Sequence, residues 1–91
     1  MADIERIKAA IAAIAMRPKN VEFAELERIV RQLEAVGYEV EIKRGKHSYL
    51  LRVGQTRMTG CIHNPHRKEL KQVYVREFLD GMAALGLHDE E

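Results

Sequence analysis

Gly45-Lys46-His47, with Arg44 just before it, heads the most basic stretch of this 91-residue chain. An unperturbed imidazole has a pKa of about 6.5, close to working pH, so it can move a proton in either direction. Lysine and arginine beside it suit the charge that develops on a phosphoryl group. Together these are the parts needed to cut an RNA backbone without metal. A base takes the proton of a 2′-hydroxyl, the freed oxygen attacks the adjacent phosphorus, and cations stabilise the oxygens as charge builds. The same residues also fit a solvated strand start, and catalysis requires that they converge.

The charge around them is concentrated. Lys43, Arg44, Lys46, Arg52, Arg57, Arg67, Lys68, Lys71 and Arg76 stand against Glu69 alone, a local balance of +8 in a chain of net charge +1 and pI about 7.9. Residues 1–42 carry −2 and residues 77–91 carry −5. This polarisation is the footprint of a surface that meets phosphates. Within it, His66-Arg67-Lys68-Glu69-Leu70-Lys71 leads into a final helix, whose first N–H groups and dipole also favour an anion. The residues to watch are therefore His47 for proton transfer, with Arg44, Lys46, Arg67, Lys68 and Lys71 for phosphate; the alternative for the loop is a solvated charge run. Tryptophan is absent and aromatics are 5%, which makes a base-stacking platform thin and favours recognition by charge and shape.

Two other groupings lead to less. Cys61, His63 and His66 are all metal-ligand types, but a fourth ligand at a recognised spacing and paired Cys-x-x-Cys elements are missing, so no metal or cofactor is expected. Tyr49 and Tyr74 could stack on bases, yet at apolar positions of a strand and a helix they read as core.

The chain has the size of one domain, residues 1–91, and its 46% hydrophobic and 32% charged residues are those of a soluble globular protein. A lone cysteine calls for no oxidising compartment. The apolar run Ala9 to Met16 follows charge-balanced residues instead of a basic leader and falls short of the roughly 18 residues of a spanning helix. A cytoplasmic protein with no membrane partner is expected.

The elements that must position the site follow from periodicity. Ile4, Ile7, Ile11 and Ile14 draw an apolar stripe along a helix from Asp3 to Met16, ended by Arg17-Pro18-Lys19-Asn20. Phe23, Leu26, Ile29, Val30, Leu33 and Val36 draw a second, with Gly37 as its C-terminal cap. The period then changes to two. Tyr38 to Lys43, His47 to Val53 and Arg57 to Ile62 predict an antiparallel meander with turns at Gly45 and Gly54-Gln55, Gly60 weakening the third strand. After a loop from His63 to Leu70, Val75, Phe78, Leu79, Met82 and Leu85 predict a last helix closed by Gly86. This is an α+β domain, a three-stranded antiparallel sheet packed on helices.

In order and spacing, Val21-x-Phe23-x-x-Leu26, Leu33-Glu34-x-x-Gly37-Tyr38, Gly45-Lys46-His47 and Lys68-Glu69-Leu70-Lys71 resemble the HicA family of toxin-antitoxin toxins. The likeness spans residues 20–87, about three quarters of the chain, leaving residues 1–19 as an N-terminal helical extension. It implies a double-stranded-RNA-binding-domain-like α-β-β-β-α core acting as a metal-independent endoribonuclease on mRNA, silenced by a HicB-type antitoxin that covers the active surface. His47 falls where the family carries its functional histidine, as general base or acid. Lys46 stands where the family usually has a small serine. The isoleucine stripe of the extension must be covered by the domain, by a second copy in a homodimer, or by another partner. A non-catalytic RNA-binding module and a protein-interaction domain are the alternative functions.

Overall fold

The computed structural model describes residues 4–62 and 69–88. Its order is α1 (Ile4–Met16), a 3-10 turn (Pro18–Asn20), α2 (Phe23–Ala35), β1 (Val40–Arg44), β2 (Ser48–Val53), β3 (Thr56–Cys61) and α3 (Gln72–Ala84). The strands form an antiparallel meander, β1-β2-β3. The expected α+β architecture is therefore present. None of the described helices is long and apolar enough to cross a membrane.

The isoleucine stripe finds its cover inside the chain. Ile7, Ile11 and Ile14 are at most 2% exposed and join one core with Leu26, Val30 and Leu33 of α2 and with Val75, Phe78 and Met82 of α3. Burying each such side chain contributes about 1.5–3 kcal/mol. An interface through α1 would thus have to use its other, alanine-lined face, where Ala9, Ala12 and Ala13 are exposed.

α2 and α3 both end in glycine caps. In α2, Gly37 at φ 109° lets its N–H reach Glu34 and the Tyr38 N–H reach Leu33. α3 ends alike, with Gly86 at φ 76° and the Leu87 N–H on Met82. A left-handed residue there turns the chain so that the last carbonyls are satisfied. Because Tyr38 is spent on the cap, β1 begins at Val40, two residues later than its alternation predicts. α3 begins at Gln72, directly after Lys71 as expected, with Val73, 63% exposed in its first turn, pointing away from the core.

The register fixes which side chains share a face. Val40, Ile42 and Arg44 lie opposite Val53, Leu51 and Tyr49, which lie opposite Thr56, Met58 and Gly60. These form the helix-covered side. Glu41, Lys43, Ser48, Leu50, Arg52, Arg57, Thr59 and Cys61 form the open side. Gly60 does more than weaken a strand: a Cβ built there would lie 2.3 Å from the Tyr49 hydroxyl and 2.5 Å from its ring. The glycine is the space into which Tyr49 packs. Gly81 similarly lets α3 approach Met58, the thioether standing 2.6 Å from a Cβ built there.

The linker between α1 and α2 is pinned by charge. Arg17 pairs with Glu25 and donates to the Asn20 carbonyl at 3.2 Å, while Glu25 accepts the Glu22 N–H at 2.9 Å. The Arg17 hydrogen bond holds the Glu25 carboxyl below its ordinary pKa against an opposing pull from partial burial. A lowered carboxylate pKa means stability that is present above the unfolded value and lost as pH falls through the folded one.

Two outcomes follow. Gly60→Ala should cost about 1–3 kcal/mol in urea unfolding through overpacking, whereas Gly45→Ala, whose new Cβ meets only Ser48 atoms at 3.5 Å, should cost about 0.5 kcal/mol or less. Glu25→Gln should lower stability at neutral pH, and its difference from the parent should vanish on acidification below the carboxylate range, as followed by denaturant midpoints.

Candidate functional site

The predicted proton-transfer residue stands at the tip of the β1–β2 hairpin. The hairpin closes where the Gly45 N–H donates to the Ser48 carbonyl at 2.8 Å. Lys46 and His47 are then the two residues of the tip, both exposed. His47 was expected to begin β2; it is instead the residue before it, because the ladder ends at the Gly45 and Ser48 pair. Its backbone is still fixed, since its carbonyl accepts the Ile62 N–H at 3.0 Å from just beyond β3. Gly45 makes the bend with an ordinary backbone, not the left-handed one that only Gly37, Gly54 and Gly86 adopt among the described residues.

Below the tip lies an aromatic support. Arg44, the last residue of β1, places its guanidinium 5.2 Å from the centre of the Phe23 ring, and Phe23 meets Tyr49 at 4.9 Å with the rings tilted by 50°. Phe23 opens α2 and Tyr49 is the second residue of β2; both are buried. A cation over an aromatic face at a partly exposed position contributes about 0.5–1 kcal/mol. The stack therefore ties the start of α2 to the base of the hairpin. Burial pushes the Tyr49 phenol up, with Glu77, Tyr74 and Cys61 acting in the same direction, so this hydroxyl stays protonated. The expectation that Tyr49 is core holds; Tyr74 is half-buried.

Lys71 comes to the same end of the molecule by a different route. The Leu70 N–H donates to the Val21 carbonyl at 2.7 Å, and Glu69 pairs as an isolated bridge with Glu22. That attaches the segment before α3 to the segment before α2, next to the residue on which Arg44 stacks. Lys71 is exposed and caps α3 without a side-chain hydrogen bond to the helix. Arg67 and Lys68, and also His63 and His66 of the weighed metal grouping, lie outside the described residues.

The basic stretch does not converge as a whole. Arg44 and Lys46 are contiguous with His47 at the hairpin end, and Lys71 follows the segment that the bridge fastens next to Phe23. Lys43 and Arg52 sit on the open face of the sheet, where both approach Glu41, at 3.6 and 3.5 Å. Arg52 also donates to the Gly54 carbonyl at 2.5 Å. Arg57 shares that face and Arg76 is on α3. The bridge also brings two exposed carboxylates, Glu22 and Glu69, to the hairpin end. Nothing in the sequence joins them, since the bridge pairs segments separated by the whole sheet.

Chemically, the hairpin end offers an accessible imidazole on an anchored backbone, next to the exposed Lys46 and to Arg44, which also stacks on Phe23. A groove of about 350 Å³ exists elsewhere, between α1 and the end of α3, lined by Glu5, Lys8, Ala12 and His88 among others; none of the predicted site residues lines it. Comparison of the chain with protein-family models, with curated proteins and with solved structures gave no match.

Proposed function

We propose that this chain is a metal-independent endoribonuclease of the HicA type, acting on mRNA and held silent by a HicB-type antitoxin seated over the hairpin end. The supporting observation is the exposed His47 at an anchored hairpin tip, with Lys46 beside it and Arg44 and Lys71 at the same end. In this reading the α-β-β-β-α segment is a double-stranded-RNA-binding-domain-like core, and residues 1–19 are an extension that completes its helical layer.

The reaction uses His47 in its neutral form. The imidazole takes the 2′-hydroxyl proton, the 2′-oxygen bonds to the adjacent phosphorus, and the bond from phosphorus to the 5′-oxygen breaks. The products are a 2′,3′-cyclic phosphate end and a 5′-hydroxyl end, the leaving oxygen taking a proton from water and the imidazolium returning its own to solvent. Arg44, Lys46 and Lys71, with Arg67 and Lys68 just before Lys71 in the sequence, supply positive charge to the phosphoryl oxygens. No cofactor takes part.

With a synthetic mRNA fragment, His47→Ala should reduce cleavage by about 10²–10⁴-fold, the usual contribution of a general base, while binding stays near that of the parent because an exposed side chain has been removed. Lys71→Ala should weaken binding uniformly across sequences and lower the slope of log affinity against log salt by about 0.7. Equal cleavage by parent and His47→Ala would remove the catalytic reading. Salt-sensitive binding with no cleavage by either protein would leave an RNA-binding module that uses the same surface.

A further inference from the structure

The two edges of the sheet are treated differently. In an antiparallel ladder, alternate residues of an edge strand direct their N–H and C=O groups away from the sheet. On β3 the outward set is Arg57, Thr59 and Cys61, and this edge is engaged: Glu77 of α3 accepts the Thr59 N–H at 3.4 Å. On β1 the bonds from Gly45 to Ser48 and from Gly54 to Glu39 place the odd-numbered residues toward β2. Val40, Ile42 and Arg44 therefore point their backbone groups outward, and no backbone partner meets them among the described residues. Val40 and Ile42 are only half-buried, although their neighbours Leu51 and Val53 on the same face are fully buried.

We propose that β1 is a homodimer interface, in which two copies pair β1 antiparallel about a two-fold axis through Ile42 to make one continuous sheet. The strand reads Val40-Glu41-Ile42-Lys43-Arg44. Centred on Ile42, this register sets outward residues against outward residues, Ile42 against Ile42 of the second copy and Val40 against Arg44. Each then exchanges both of its free backbone hydrogen bonds. It also sets Glu41 against Lys43 of the second copy, twice, in the non-hydrogen-bonded positions where side chains approach most closely.

The neighbouring registers fail on the same rule. An axis through Glu41 faces glutamate with glutamate, and an axis through Lys43 faces lysine with lysine, which is destabilising in directly opposed pairs. Charges on an edge strand ordinarily deter pairing; in this order they select one pairing of the strand with itself. The half-buried Ile42 gains its missing cover from its own symmetry mate, as expected of an isologous contact. The interface is separate from the isoleucine stripe of α1, which the core already uses, and independent of the nuclease reading.

The experiment is light scattering coupled to size exclusion, over the micromolar to millimolar range, on the full chain and two charge variants whose folding is checked by circular dichroism. The parent should approach twice its 10.5 kDa mass. Lys43→Glu alone and Glu41→Lys alone should each shift toward the single-chain mass, and an equimolar mixture of the two should recover the doubled mass, because every cross-strand pair is then complementary. Should a variant fail to fold, hydrogen exchange of the parent decides. The Val40, Ile42 and Arg44 amides should be protected at high concentration and lose that protection on dilution. A single-chain mass for the parent throughout, a doubled mass unaffected by both single variants, or exchange at those amides independent of concentration would overturn the proposal.

Discussion

Tyr49 lies in the space left by Gly60 with its ring against Phe23, and through it the start of α2, the middle strand and the end of β3 are held to one another. Each side of this contact comes from a different part of the chain, and none can move without opening a void or a clash in a close-packed interior. The hairpin tip rests on it, because Arg44 lies over Phe23 and Tyr49 follows His47 by two residues. The position of the imidazole is therefore inherited from the core, though the imidazole itself is outside it.

Much of this arrangement is written locally. The isoleucine and leucine stripes give the helices, the alternation around Leu51 gives the central strand, and Gly37 and Gly86 mark the helix ends. These signals depend on neighbours a few residues away, so they survive in the sequence alone. Deviations arise where one residue serves two elements. Tyr38 alternates with Val40 and Ile42 as a strand residue would, but its N–H belongs to the cap of α2. The start of α3 is where the basic segment ending at Lys71 puts it, although Val73 stands outside the apolar stripe.

The site was legible in kind and only partly in place. His47, Lys46 and Arg44 are contiguous, and any hairpin with a turn near Gly45 brings them to one tip. Lys71 reaches that end only through the bridge of Glu69 to Glu22 and the bond from Leu70 to Val21, which no periodicity encodes. The charge count, read as one cationic surface, merged two. Strand pleating sends Lys43 and Arg52 to the open face, where Glu41 meets both, and leaves the hairpin end with fewer cations and two carboxylates.

Among the described residues no polar or charged side chain is buried. The folding free energy that side chains contribute to the core thus comes chiefly from apolar packing, and most charged residues are carried on its outside at little cost. An enzyme whose catalytic groups are buried must trade stability for function, because unsatisfied or strained groups are stored within the fold. A hairpin tip avoids that conflict. An exposed tip residue such as Lys46 can be exchanged without disturbing the core, so this end of the molecule and the packing beneath it can vary independently.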